Sequence, residues 1–173
     1  MAMQTEVDSL RENCAYEVAT ADELRSLNFR IILPMKMVVG VKTDANAGTS
    51  RRKARVVVCG NSQPKSAAEE LHTASADITS ARAALAAAVP KRWNLKVIDI
   101  NTAFLNANLP ESFETVFARP PQALIKFGLV PPGTVWKVLK AIYGLGTAPK
   151  AWGNERGREM DAYGNEGLLR VGG

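Results

Sequence analysis

The chain has 173 residues, 46% hydrophobic and 23% charged, with a formal net charge of +5. That balance is a soluble globular one, long enough for one ordinary core and excluding a low-complexity or disordered chain. The longest apolar run, Ala83 to Val89, is far too short to span a bilayer, and two cysteines exclude a disulfide scaffold.

Residues 1–28 hold six acids against Arg11 and Arg25. They read as an acidic lead-in, helical or partly disordered, anchored by Leu10, Tyr16, Leu24 and Leu27. No basic patch followed by an apolar stretch opens the chain, so an intracellular setting, cytoplasmic or nuclear, is the expectation. Ile31 to Val41 is rich in β-branched residues and predicts a strand interrupted by Pro34. Asp44-Ala45-Asn46-Ala47-Gly48 supplies turn chemistry, and Lys53 to Cys59 returns as the second strand of a hairpin. By the period of two, Arg51, Lys53 and Arg55 share one face while Val56 and Val58 take the other. Residues 36–65 hold seven bases (Lys36, Lys42, Arg51, Arg52, Lys53, Arg55, Lys65) against Asp44 alone. A cluster of that density is either a solvated face or a surface for phosphates.

Asn61 to Ala76 is polar and loop-like. Asp77 or Thr79 can cap a helix over Ser80 to Val89, which Pro90 ends. Leu95 to Ile100 reads as a buried strand carrying Asp99. A lone carboxylate there implies a metal, a partner cation, a protonated acid, or backbone donors that close the strand. Thr102 to Asn106 is a turn or short helix. Phe104 within it reads as core. A short strand is expected at Thr115 to Ala118 and another at Val135 to Lys140, after the turn Pro131-Pro132-Gly133. Ala148 to Ala162 reads as helix, capped by Thr147, and residues 163–173 form a Gly-rich tail.

Several of these blocks resemble the reverse transcriptase of copia-type long-terminal-repeat retrotransposons. They are Leu33-Pro34-Met35-Lys36, Lys53-Ala54-Arg55-Val56-Val57-Val58-Cys59-Gly60-Asn61, Asp99-Ile100-Asn101-Thr102-Ala103-Phe104-Leu105-Asn106, Arg119-Pro120-Pro121, Tyr143-Gly144-Leu145 and Ala148-Pro149-Lys150-Ala151-Trp152. Their order and spacing, more than any one block, carry the resemblance. It implies an α+β fold, a partial right-hand polymerase over residues 29–162: a fingers β-hairpin plus helix and an incomplete palm sheet. Lys42, Lys53 and Arg55 are then the candidates for the phosphates of an incoming nucleotide. Phe104 would lie under its sugar, and Gly144 would belong to the nucleotide-positioning turn. Asp99 becomes the catalytic, metal-binding carboxylate for Mg²⁺, and the chemistry two-metal phosphoryl transfer. The implied partners are an RNA or DNA template–primer and a deoxynucleoside triphosphate, with no membrane.

Two departures from the family pattern stand out. Gly146-Thr147 occupies a place where the family usually has Lys-Gln. The family's Asp-Asp turn, which supplies two further metal-binding carboxylates, normally follows the Ala-Pro-x-Ala-Trp block and has no counterpart in these residues. The expectation is therefore a fragment that is inactive alone and needs the rest of a polyprotein. The alternatives are a non-catalytic nucleic-acid-binding module or a transposon relic.

Overall fold

A computed structural model describes residues 2–27, 32–44, 48–63, 77–94, 99–110 and 115–164. The elements follow in the order α1 (Ala2–Glu12), β1 (Tyr16–Val18), α2 (Ala21–Ser26), β2 (Ile32–Asp44), β3 (Thr49–Val58), α3 (Ile78–Ala88), β4 (Val116–Arg119), α4 (Gln122–Lys126), β5 (Trp136–Val138) and α5 (Ala148–Gly164). Short 3-10 turns occupy Gly60–Ser62 and Ala103–Asn106. The class is mixed α+β, as expected. The five strands lie in the order β1-β5-β4-β2-β3. All neighbours are antiparallel except β2 and β4.

β2 changes partner along its length. Ile32, Leu33 and Pro34 pair with β4, whereas Met35 to Asp44 pair with β3. Beyond the changeover, β2 and β3 continue as a two-stranded ribbon, and Val38, Val39 and Val41 are exposed. Pro34 sits at the junction, where its missing N–H costs least, and its carbonyl accepts the Cys59 N–H. At the base of the ribbon the alternation read from sequence holds. Ala54, Val56 and Val58 are buried, and Arg51, Lys53 and Arg55 are exposed.

The acidic segment at the N-terminus is helix, strand and helix. Val7 and Leu10 of α1 are buried in the main core with Val56, Val58, Trp136 and Ile142. Each such side chain contributes on the order of 1.5–3 kcal/mol. β1 pairs with β5, and Tyr16 stacks on Trp136 with ring centroids 3.9 Å apart. α2 opens with a capping box, in which Thr20 and Glu23 satisfy each other's backbone N–H. Glu23 also accepts a 2.9 Å ion pair from Lys137 of β5. Those hydrogen bonds, the Thr20 backbone first, hold the Glu23 carboxyl down at about 2. Three elements, β1, α4 and the turn at Gly60, are absent from the sequence reading; each spans only three to five residues.

Other expectations meet different ends. α3 is capped by Asp77, whose side chain accepts the Thr79 N–H. The strand expected at Leu95 to Ile100 is not formed at Asp99 and Ile100, which are exposed, and residues 95–98 lie outside the described set. The centre of the expected loop, 64–76, the hairpin turn residues 45–47 and the tail residues 165–173 lie outside it too. The last helix runs two residues past its expected end, to Gly164.

Candidate nucleotide and nucleic-acid interface

β3 is an edge strand of the sheet, and its outward backbone groups set the site. The Val58 N–H donates to the Tyr143 carbonyl at 2.8 Å, and the Gly60 N–H to the Gly144 carbonyl at 3.1 Å. The segment Tyr143–Gly146 thus docks on the end of β3 and covers an edge that would otherwise be open. Glycine makes that approach possible. Gly144 has φ +83°, and a Cβ there would collide with the Val58 carbonyl and the Val57 side chain. A Cβ on Gly60 would collide with the Gly144 carbonyl. Gln63 adds a clasp, accepting the Gly146 N–H at 2.9 Å.

Docking carries the Tyr143 ring between two residues singled out in the sequence. The Arg55 guanidinium lies 5.1 Å from the ring centroid of Tyr143. Phe104 meets the same ring edge-on, with centroids 5.3 Å apart at 78°. The first contact is worth about 0.5–1 kcal/mol at an exposed site and the second about 0.5–1.5 kcal/mol. Phe104 is held from below by its 3-10 turn, entered through Thr102 in the left-handed conformation (φ 51°, ψ 37°). Leu105 of that turn joins the core with Ala148 and Ala151 of α5, and Phe104 and Trp152 pack against it. A cation, a phenol and a phenyl ring, contributed by three distant stretches of chain, form one contiguous surface.

The other candidate residues are spread out. Lys53 lies two residues from Arg55 on the same face of β3. Lys42 lies opposite Arg51, four ladder steps beyond the Val38–Arg55 pair, roughly 13 Å along the ribbon. Gly144 is in the docked turn, where its positive φ and missing side chain allow the close approach to β3. Asp99 corrects the reading of a charge in a buried strand. It is exposed beside exposed Ile100, Asn101 and Thr102, so water solvates the carboxylate. The apolar neighbours in sequence that suggested a strand do not enclose it. Among the described residues no three His, Cys, Asp or Glu side chains gather as a metal site would require. That donor set does not fit a pair of divalent cations.

Two contributors escaped the sequence reading as site residues. Tyr143 was visible only as part of a block, with no local signal that its ring would bridge Arg55 and Phe104. Glu6 lies fifty residues before its partner: its Oε1 accepts the Val56 N–H at 3.0 Å. Burial raises the Glu6 carboxyl above its ordinary value of 4.5, opposed by that hydrogen bond and by nearby Arg55 and Lys53. No sequence pattern announces a side chain that caps a remote strand edge.

A cationic ribbon docked against an aromatic turn suits a nucleotide-handling domain. The family model for reverse transcriptase (RNA-dependent DNA polymerase) matches residues 26–161, and the chain belongs to that family. Its relatives are Pol polyproteins of plant transposons, which makes it copia-type. It is 33% identical to the retrovirus-related Pol polyprotein from transposon RE2 of Arabidopsis thaliana over 70% of this chain and 8% of that protein. It is 32% identical to the one from transposon RE1 of the same plant, over the same shares. Against the polyprotein from transposon TNT 1-94 of Nicotiana tabacum it is 30% identical over 87% of this chain and 11% of that protein. The chain thus spans about a tenth of the length of the curated relatives it matches. No solved structure matches it significantly.

Proposed function

We propose that this chain forms the fingers and the adjoining part of the palm of a right-hand, RNA-directed DNA polymerase. In that reading the incoming deoxynucleoside triphosphate lies on the Arg55–Tyr143–Phe104 surface. Arg55, with Lys53 behind it, takes the phosphates, since a guanidinium offers forked donors to phosphate oxygens. Tyr143 keeps the guanidinium in place, and Phe104 lies beneath the sugar, where an aromatic ring disfavours a 2′-hydroxyl by bulk. Lys42, further out on the ribbon, meets the template–primer. The observation that carries the reading is the contact of Arg55 and Phe104 with one ring, across 49 residues of sequence and two docked elements.

Chemistry is a separate matter from binding. Reverse transcriptases use divalent cations, and Asp99 is one exposed carboxylate without companions among the described residues. We therefore assign this chain the holding and orienting of the nucleotide and expect no polymerisation by it alone. Calorimetric titration with a deoxynucleoside triphosphate should show binding that falls at least tenfold in Arg55→Ala. Primer extension by the same chain with Mg²⁺ should yield no product. Unchanged binding in Arg55→Ala would remove the phosphate role, and measurable synthesis would overturn the assignment of inactivity.

A further inference from the structure

The docked turn has little with which to meet a bound molecule. Gly144 and Gly146 have no side chain, and Leu145 and Thr147 are buried, Thr147 with only 4% of its surface exposed. Of the five residues 143–147, Tyr143 alone presents a side chain outward. Gly146-Thr147 therefore leaves this part of the surface without a side-chain hydrogen-bond donor of its own.

Gln63 reaches the same place from another stretch of chain. It follows the 3-10 turn after β3, where its backbone N–H donates to the Gly60 carbonyl at 3.0 Å, and Gly60 in turn donates to Gly144. Its Oε1 accepts the Gly146 N–H at 2.9 Å. A carboxamide is planar and carries its oxygen and its NH₂ on opposite sides, so this one bond orients both. The oxygen is committed to the turn, while the Nε2 donors have no partner among the described residues. The side chain is half-buried, and an unsatisfied donor there is a cost that an acceptor from outside would remove.

We infer that Gln63 is a further nucleotide-binding residue: held in place by Gly146, it donates its side-chain N–H to an acceptor oxygen of the bound nucleotide. In taking the ligand to be a nucleotide, this assignment rests on the function proposed above. It adds an uncharged donor on the turn side of the surface to the cations on the strand side.

The test is calorimetric titration of the whole 173-residue chain with a deoxynucleoside triphosphate, beside hydrogen exchange of residues 143–146 without ligand. Gln63→Glu keeps an oxygen for the Gly146 N–H but has no side-chain donor. Its turn should exchange as in the wild type, while triphosphate affinity falls about tenfold or more, the weight of one hydrogen bond to a charged acceptor. Ser62→Glu places the same charge one residue earlier, at an exposed position, and should lose less than about threefold. Gln63→Met removes donor and acceptor together, so affinity should fall and exchange at 143–146 should quicken. In nitrogen-15 spectra of the wild type, the side-chain NH₂ signal that Gln63→Met deletes should shift when triphosphate is added. That shift decides the matter even if Gln63→Glu loosens the turn, and a signal that stays in place overturns the inference. Wild-type affinity in Gln63→Glu also overturns it, because the clasp alone would then suffice. Equal losses in Ser62→Glu and Gln63→Glu do the same, since charge would explain both. Binding that depends on Arg55 and not on Gln63 leaves the nucleotide reading standing without this residue, whereas a wild type that binds no triphosphate overturns both.

Discussion

Arg55 and Asp99 were marked by the same resemblance, and the structure treats them differently. Arg55 stands on a regular strand, where alternation alone fixes its face. Its neighbours Ala54 and Val56 are buried, so the guanidinium must point out, and docking of Tyr143 then gives it a ring to rest on. Asp99 has no such periodic support in the described residues, and apolar composition on either side overstated its burial. Glu6 shows the limit of sequence at this scale, because its role exists only once α1 and β3 meet. Its carboxyl is raised in the folded chain, so ionisation opposes folding. The stability it contributes is fully present below its unfolded value near 4.5 and is lost as pH rises through the raised folded value. Glu6→Gln keeps an oxygen for the Val56 N–H and has no charge to desolvate. Urea midpoints should therefore be similar for the two proteins in acid, with the variant gaining on the wild type as pH rises to neutrality. A constant difference across pH would mean that the carboxyl is not perturbed by burial.

At the scale of elements, the hairpin was the most legible part of the chain. Period-two alternation of bases with valines and a turn-rich link specify both strands, and β3 ends within one residue of its expected position. Helices α3 and α5 were legible from a capping Asp and from a Pro beside the start. β1 was not, since three residues between two helices acquire strand geometry only by pairing with β5, about 120 residues away in sequence. The docked turn was legible as a glycine-containing motif but not as the cover of a sheet edge. Its dependence on glycine is testable. In Gly144→Ala the methyl meets backbone and a side chain at positive φ, so the loss should be about 2 kcal/mol or more. Gly128→Ala, at φ +69° with open space around it, should lose only about 1 kcal/mol. Equal losses in chemical denaturation would show that backbone strain alone, and not close docking, explains Gly144.

For the whole molecule, one core joins segments that look separable in sequence. The acidic N-terminal stretch is packed under the basic ribbon through Val7 and Leu10, and the main core reaches from α1 to α5. The ribbon can therefore project as an arm from a supported base, and charges of opposite sign lie on neighbouring elements. No described helix is long and apolar enough to cross a membrane. In the proposed function, this assembly brings the end of β3, the turn at Phe104 and the turn at Tyr143 into one nucleotide-binding surface. Hydrogen–deuterium exchange with and without a deoxynucleoside triphosphate tests it most directly. Added protection is expected in residues 55–60, 103–106 and 143–146 together, with little change in α3 and α4. Protection confined to other segments, or to one of these three without the others, would contradict it.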